Sequence, residues 1–224
     1  MKVLYEDNHL LVVVKPPNVP VQADASGDDD LFSQAKRYIG EKYQKPGAVY
    51  LGLVHRIDRP VSGLVAFART SKAAARLSEQ VRTHAMHREY LCVVRGMPPQ
   101  SGELTHWLWK DERANTSKAV PKGTPGAKEA RLSCERLCTE QGLSLLRVTL
   151  HTGRSHQIRV QLSTEGFPLW GDARYGGGKP GEQIALHAAK LTLEHPTRRE
   201  RMDFHEAPPS TFPWNVYASS NFVL

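Results

Sequence analysis

His55-Arg56-Ile57-Asp58-Arg59-Pro60-Val61-Ser62-Gly63 is the densest polar run in the chain. It lies between two apolar stretches, Val49 to Val54 and Leu64 to Ala68, whose composition reads as strands. Flanking cations favour the ionised form of the central carboxylate. Ionisation is what a carboxylate nucleophile needs at neutral pH. Alone, the run reads as a salt-bridged turn closed by Gly63.

Upstream, Lys2 to Tyr5 and Leu10 to Val14 flank Asp7-Asn8 as a hairpin, and Pro16, Pro17 and Pro20 stiffen the loop that follows. Asp28 to Asp30 can cap a helix with Leu31, Ala35, Tyr38 and Ile39 on one face, broken by Pro46-Gly47. Downstream, Thr70 or Ser71 can cap a helix reaching about Thr83. Strands follow at Glu89 to Val94 and Glu103 to Leu108. The polar segment Asp111 to Lys128, with Gly123, Pro125 and Gly126, reads as a long exposed loop. Ala130 to Cys138 and Leu143 to His151 pair across Gln141-Gly142, which places Cys134 and Cys138 on one side. Ser155 to Thr164 reads as a short helix with Ile158 and Leu162 inward. Ile184 to Leu193 and Arg201 to Phe204 close the chain after the Gly-rich run Gly171 to Gly181. Many strands with few scattered helices, no repeat and no long linker predict an α+β fold with a mixed, mostly antiparallel central sheet. Residues 1–224 are expected to form a single domain.

A length of 224 residues with 40% hydrophobic and 24% charged residues fits a folded soluble chain. The longest aliphatic run, Leu10 to Val14, is far too short to span a membrane. The acidic N-terminal segment is no signal peptide, and three cysteines build no disulfide framework, so cytoplasmic residence is expected. A net charge of +7 favours polyanionic partners. The Gly-rich run lacks nucleotide-binding spacing. His151 and His156 do not complete a closed metal site, so no metal is expected.

Two further segments carry candidate chemistry. Thr152-Gly153-Arg154-Ser155-His156-Gln157-Ile158-Arg159 leaves a strand and opens a helix, where free N–H groups can bind an anion and Arg154 and His156 can add contacts. Its bland reading is a solvated basic helix start. Arg88-Glu89-Tyr90 opens a strand, and a tyrosine there is ordinarily a core residue.

Together these segments resemble the RluA family of pseudouridine synthases. The family pattern H-R-[LI]-D-R-x-[TS]-[SG]-G corresponds to His55 to Gly63, with Val61 at the usual threonine. The family's K/R-x-Y corresponds to Arg88-Glu89-Tyr90, and T-G-R-[ST]-H-Q-[IL]-R-V to Thr152 to Val160. Gly166 to Gly176, Leu186-His187-Ala188, His195-Pro196, Tyr5-Glu6-Asp7 and Lys15-Pro16 continue the likeness in order over roughly residues 3 to 208. Asn18 stands where many members have glycine.

The resemblance implies a pseudouridine synthase fold with a catalytic cleft across the sheet. It implies isomerisation of uridine to pseudouridine in ribosomal or transfer RNA, by a monomer that needs no cofactor. Asp58 resembles the essential aspartate, adding to C1′ or removing a 2′ proton. Arg159 resembles its basic partner. Tyr90 resembles the residue that stacks on uracil and can accept the C5 proton. Arg56 is placed to fill the space of a flipped-out base, and His55, Arg59, Lys15, Arg154, His156, Gln157 and Leu186 are the further substrate-binding candidates. Lys118, Lys122 and Lys128 could track the RNA backbone. No S4-type RNA-binding domain is expected ahead of the first strand. The rivals are an inactive RNA-binding protein of the same fold, a retaining glycosidase, for which a second carboxylate near Asp58 is lacking, and a purely structural module.

Overall fold

The structure is a computed structural model that describes residues 1–44, 46–179 and 181–217. The chain forms two compact units.

The first unit comprises Met1–Arg88 and Ala188–Glu206. Its strands are β1 (Lys2–Glu6), β2 (Leu10–Lys15), β3 (Gly52–Leu53), β4 (Ser62–Ala68), most of β10 (Leu186–Glu194) and β11 (Arg201–His205), ordered β1-β2-β4-β10 with β11 on β10 and β3 on β4. The first hairpin forms as expected because Asp7 Oδ1 accepts from the N–H groups of His9 and Leu10, both at 2.8 Å. β2 and β4 are apolar on both faces because both faces are covered. Leu10, Val12, Leu64 and Ala66 pack with Ala73 and Leu77 of α2 (Ser71–Arg82). On the opposite face Phe67 meets Phe32 of α1 (Leu31–Lys42). Asp30 and Thr70 cap these helices by accepting from Ser33 and Ala73 N–H. The expected strand Val49 to Val54 is cut to two residues, since β4 shares its second edge between β3 and β10. Asn18 takes the left-handed conformation, φ 63°, that glycine would supply.

The second unit comprises Glu89–His187 and Ala207–Leu224. Here β5 (His87–Arg95, from Glu89 onward), β9 (Leu143–Leu150), β8 (Lys128–Glu140), β6 (Ser101–Asp111) and β7 (Thr116–Val120) follow one another in the order β5-β9-β8-β6-β7, each pair antiparallel. Gln141 (φ 52°) and Gly142 (φ 75°) form the tight two-residue turn between β8 and β9. The supposed loop Asp111 to Lys128 is largely a hairpin instead. β7 pairs along β6 from Thr116 to Val120, and Lys128 already belongs to β8. Register alternates cleanly: Leu108 and Ala130 face Val160 of α3 (Gln157–Thr164), whereas Trp107 and Trp109 point the other way. An irregularity between Arg136 and Cys138 shifts β8 by one residue, so Cys134 and Cys138 face opposite sides.

Candidate active site

Each unit contributes candidate residues. In the first, the chain from β3 to β4 is extended and alternates: His55 and Ile57 are buried, Arg56 is exposed and Asp58 is half-buried. The polar groups around Asp58 tie its loop down. Ala66 N–H donates to His55 Nε2 at 2.9 Å, which fixes the proton on Nδ1. Burial, reinforced by the nearby Arg88 cation, lowers the His55 pKa to about 3, so the ring is neutral. His55 is therefore an internal prop and not the substrate contact expected from sequence.

Lys15 also departs from expectation. It is fully buried, and its ammonium donates to the carbonyls of Pro16 (2.9 Å), Val19 (2.7 Å) and Arg59 (2.8 Å). The reason lies in register: Lys15 stands opposite Gly63 at the end of β2, beside the returning loop. With three donors and three carbonyls it has no capacity left for a phosphate. Burial pulls its pKa down to about 7, opposed by the negative charge of Asp58. Arg59 directs its guanidinium to Asn18 O (3.1 Å), Ser26 Oγ (2.8 Å), Asp24 and Asp28. That fork binds the loop of residues 18–28, leaving Arg56 as the outward-facing arginine of the run. Val61 N–H closes the turn onto Asp58 O at 3.0 Å.

In the second unit, α3 is not a solvated helix start. Gln157, Arg159 and Gln161 are all buried, and the helix begins at Gln157 because His156 adopts a left-handed backbone (φ 54°). Arg159 Nε and Nη2 grip Asp172 Oδ2 and Oδ1, both at 2.8 Å. The Tyr175 ring lies against this guanidinium, its centroid 5.0 Å from Cζ. The Tyr175 hydroxyl is 2.7 Å from His156 Nδ1 and accepts from Ser117 N–H at 2.9 Å. Burial raises the Tyr175 pKa, so the hydroxyl stays protonated.

Asp172 and Tyr175 are the residues that sequence reasoning left without a role. Their signal was position: both fall within the Gly166 to Gly176 segment of the family likeness and within the Gly-rich run, which folds back on itself. A Cβ at Gly177 would sit 1.7 Å from Leu169 O, so the close return that brings Asp172 and Tyr175 to α3 requires glycine there.

Gln157 serves the local backbone. Its Oε1 accepts from Thr152 Oγ1 (2.7 Å) and Arg154 N–H (3.0 Å), and its Nε2 donates to Arg131 O (3.0 Å). Exposed Arg154 anchors Nε on Glu129 O at 2.8 Å. Leu186 is buried at the start of β10. Tyr90, 5% exposed, pairs with Val148 on the side of the sheet that α3 covers. Among the described residues no helix is long and apolar enough to cross a membrane.

A family model described as RNA pseudouridylate synthase matches residues 9–164. Ribosomal large subunit pseudouridine synthase D of Zymomonas mobilis is 33% identical over 221 residues, covering 93% of this chain and 69% of its own length. The uncharacterized RNA pseudouridine synthase YhcT of Bacillus subtilis is 32% identical over 205 residues, covering 89% and 66%. The chain thus spans about two thirds of the length of these curated relatives. In three dimensions it is similar to human RNA Pseudouridylate Synthase Domain Containing 4, with a TM-score of 0.81 at 20% identity, covering 96% of this chain and 92% of that one. That likeness establishes the α+β fold.

Proposed function

Because the chain belongs to the RNA pseudouridylate synthase family, whose members isomerise uridine in RNA, we propose that it converts a uridine of large-subunit ribosomal RNA to pseudouridine through Asp58. The ribosomal choice follows the synthase D relatives, which are named for the large ribosomal subunit. In this reading residues 1–224 act as one catalytic domain, a cytoplasmic monomer.

One observation carries the assignment of Asp58. The carboxylate is half-buried at the tip of a loop held by Lys15, His55 and Arg59 through backbone and loop contacts. A nucleophile held in place before the substrate arrives loses little entropy on reaction. The target uridine leaves its stack, at a cost of a few kcal/mol, and Arg56 fills the gap. Asp58 then initiates loss of the N1–C1′ bond, by adding to C1′ or by removing the 2′ proton. The uracil turns and C5 bonds to C1′ as the bond to Asp58 breaks, or, in the second route, as Asp58 returns the proton to C2′. Tyr90 then takes the C5 proton while passing its own hydroxyl proton on to water, and N1 gains a proton. Arg159, gripped by Asp172, supplies a fixed positive charge for the anionic groups of the reaction.

The test is tritium release from ribosomal RNA labelled at uridine C5. Asp58→Asn should melt like the wild type and release no tritium. Turnover in the Asn variant would remove Asp58 from the mechanism. An inactive RNA-binding protein would instead bind ribosomal RNA yet release nothing in the wild type. A smaller rate with 2′-deuterated uridine separates proton removal from direct addition.

A further inference from the structure

The β6–β7 hairpin carries two tryptophans that the reaction does not use. Trp107 and Trp109 are two residues apart, so they share the face opposite Leu108 and advance by roughly 7 Å along the strand. Each is half-buried with a lysine over it: Lys118 Nζ lies 5.1 Å from the Trp109 ring and Lys122 Nζ lies 5.8 Å from the Trp107 ring. Trp109 pairs directly with Lys118 across the hairpin. The turn at Gly126 lies along the Trp109 edge, where a Cβ would be 3.7 Å from the indole.

Charge distinguishes this patch from its surroundings. Nearby arginines of the same sheet are neutralised, Arg131 by Glu129 at 3.1 Å and Arg147 by Glu135 at 2.9 Å. Among the described residues, Lys118 and Lys122 have no carboxylate partner and are exposed. Two ring faces with two uncompensated cations match an unpaired nucleic-acid strand, whose bases stack and whose phosphates need countercharge. A membrane-seeking surface would need a broader apolar stripe. The platform is also firmly mounted. Leu108 and Ala119 pack beneath it, and Ser117 N–H ties β7 to Tyr175, the ring that supports Arg159.

We propose that Trp107, Trp109, Lys118 and Lys122 form a docking platform for an unpaired stretch of the substrate RNA. The lysines swing from the indoles to phosphates, and two bases take their places on the rings. This rests on the RNA-modifying reading above and adds where, and in what form, the RNA is held.

The probe is a fluorescein-labelled 12-nucleotide oligouridylate, compared with the same strand paired to oligoadenylate. Fluorescence anisotropy across a salt series should show preference for the single strand. Trp107→Ala/Trp109→Ala should weaken single-strand binding at least tenfold and leave the salt slope unchanged. Trp107→Phe/Trp109→Phe, which keeps rings, should recover most of the loss. Lys118→Ala/Lys122→Ala should reduce the logarithmic salt slope by about 0.7 per lysine. On ribosomal RNA the tryptophan pair should raise KM and leave kcat unchanged. Wild-type affinity in the Trp→Ala variant, equal loss of single-strand and duplex binding, or full competition by anionic phospholipid vesicles would overturn the platform. The two readings fail separately. A wild type that binds the oligonucleotide but forms no pseudouridine defeats the proposed reaction. A wild type that forms product with the same KM as the Trp→Ala variant defeats the platform alone.

Discussion

Replacing His55 by glutamine tests the internal prop that places Asp58. Gln Oε1 can occupy the position of His55 Nε2 and accept from Ala66 N–H, but glutamine does not titrate. In the folded protein His55 stays neutral down to about pH 3, because burial and Arg88 oppose its charge. In the unfolded chain it takes up a proton near pH 6.5. The folded-state pKa is the lower one, so the unfolded state binds more protons as pH falls and the protein loses stability. Each pH unit below 6.5 costs about 1.4 kcal/mol. At pH 4.5 the loss is about 2.7 kcal/mol, two units of that slope. Urea denaturation of wild type and His55→Gln at pH 8, 6.5, 5.5 and 4.5 measures the difference. The two stability curves should converge by about 2.7 kcal/mol between pH 8 and 4.5, with the variant starting lower because its packing is imperfect. Parallel curves would mean that His55 is charged or solvated in the fold, and the account of its role would be wrong.

Asp172→Ala removes the carboxylate that grips the buried Arg159 guanidinium at two points. It should cost about 3–5 kcal/mol, lower the melting temperature by roughly 10 °C and abolish tritium release; a loss under about 1 kcal/mol would show that the ion pair is not a prop for Arg159. Lys15→Met strips the donor from the Pro16, Val19 and Arg59 carbonyls and should cost about 3 kcal/mol in urea denaturation. The same variant should lower kcat more than it raises KM, whereas a phosphate-binding lysine would do the reverse.

Some of this was legible in the sequence for local reasons. Asp30 and Thr70 announce helices because a capping side chain and an apolar period occur together within one turn. Gln141-Gly142 announces its hairpin because both residues tolerate positive φ. What escaped depends on partners distant in the chain. β7 was hidden because its inward residues are Ser117 and Ala119, too small and polar to show an alternating pattern, and its strand character comes from β6. α3 looked solvated because it carries Gln157, Arg159 and Gln161, whose buried side chains bond to groups elsewhere in the second unit. Lys15 looked like a phosphate ligand because a lysine in a proline-rich loop is ordinarily exposed. Only its register opposite Gly63 reveals the three carbonyls around it. The motif residues stand out together as a sequence pattern, but which of them are buried and which face outward follows only from the fold.

Gly63 closes the run that contains Asp58, and a methyl group there would lie 2.3 Å from Ala188 O, on a backbone with φ +115°. No other side chain fits without parting β4 from β10. An inactivation screen would thus score Gly63 and Asp58 alike, although one serves assembly and the other, in the proposed reaction, serves bond-making. The amount of protein recovered distinguishes them: substitutions at residue 63 deplete the folded pool, whereas substitutions at residue 58 leave a full pool of silent enzyme.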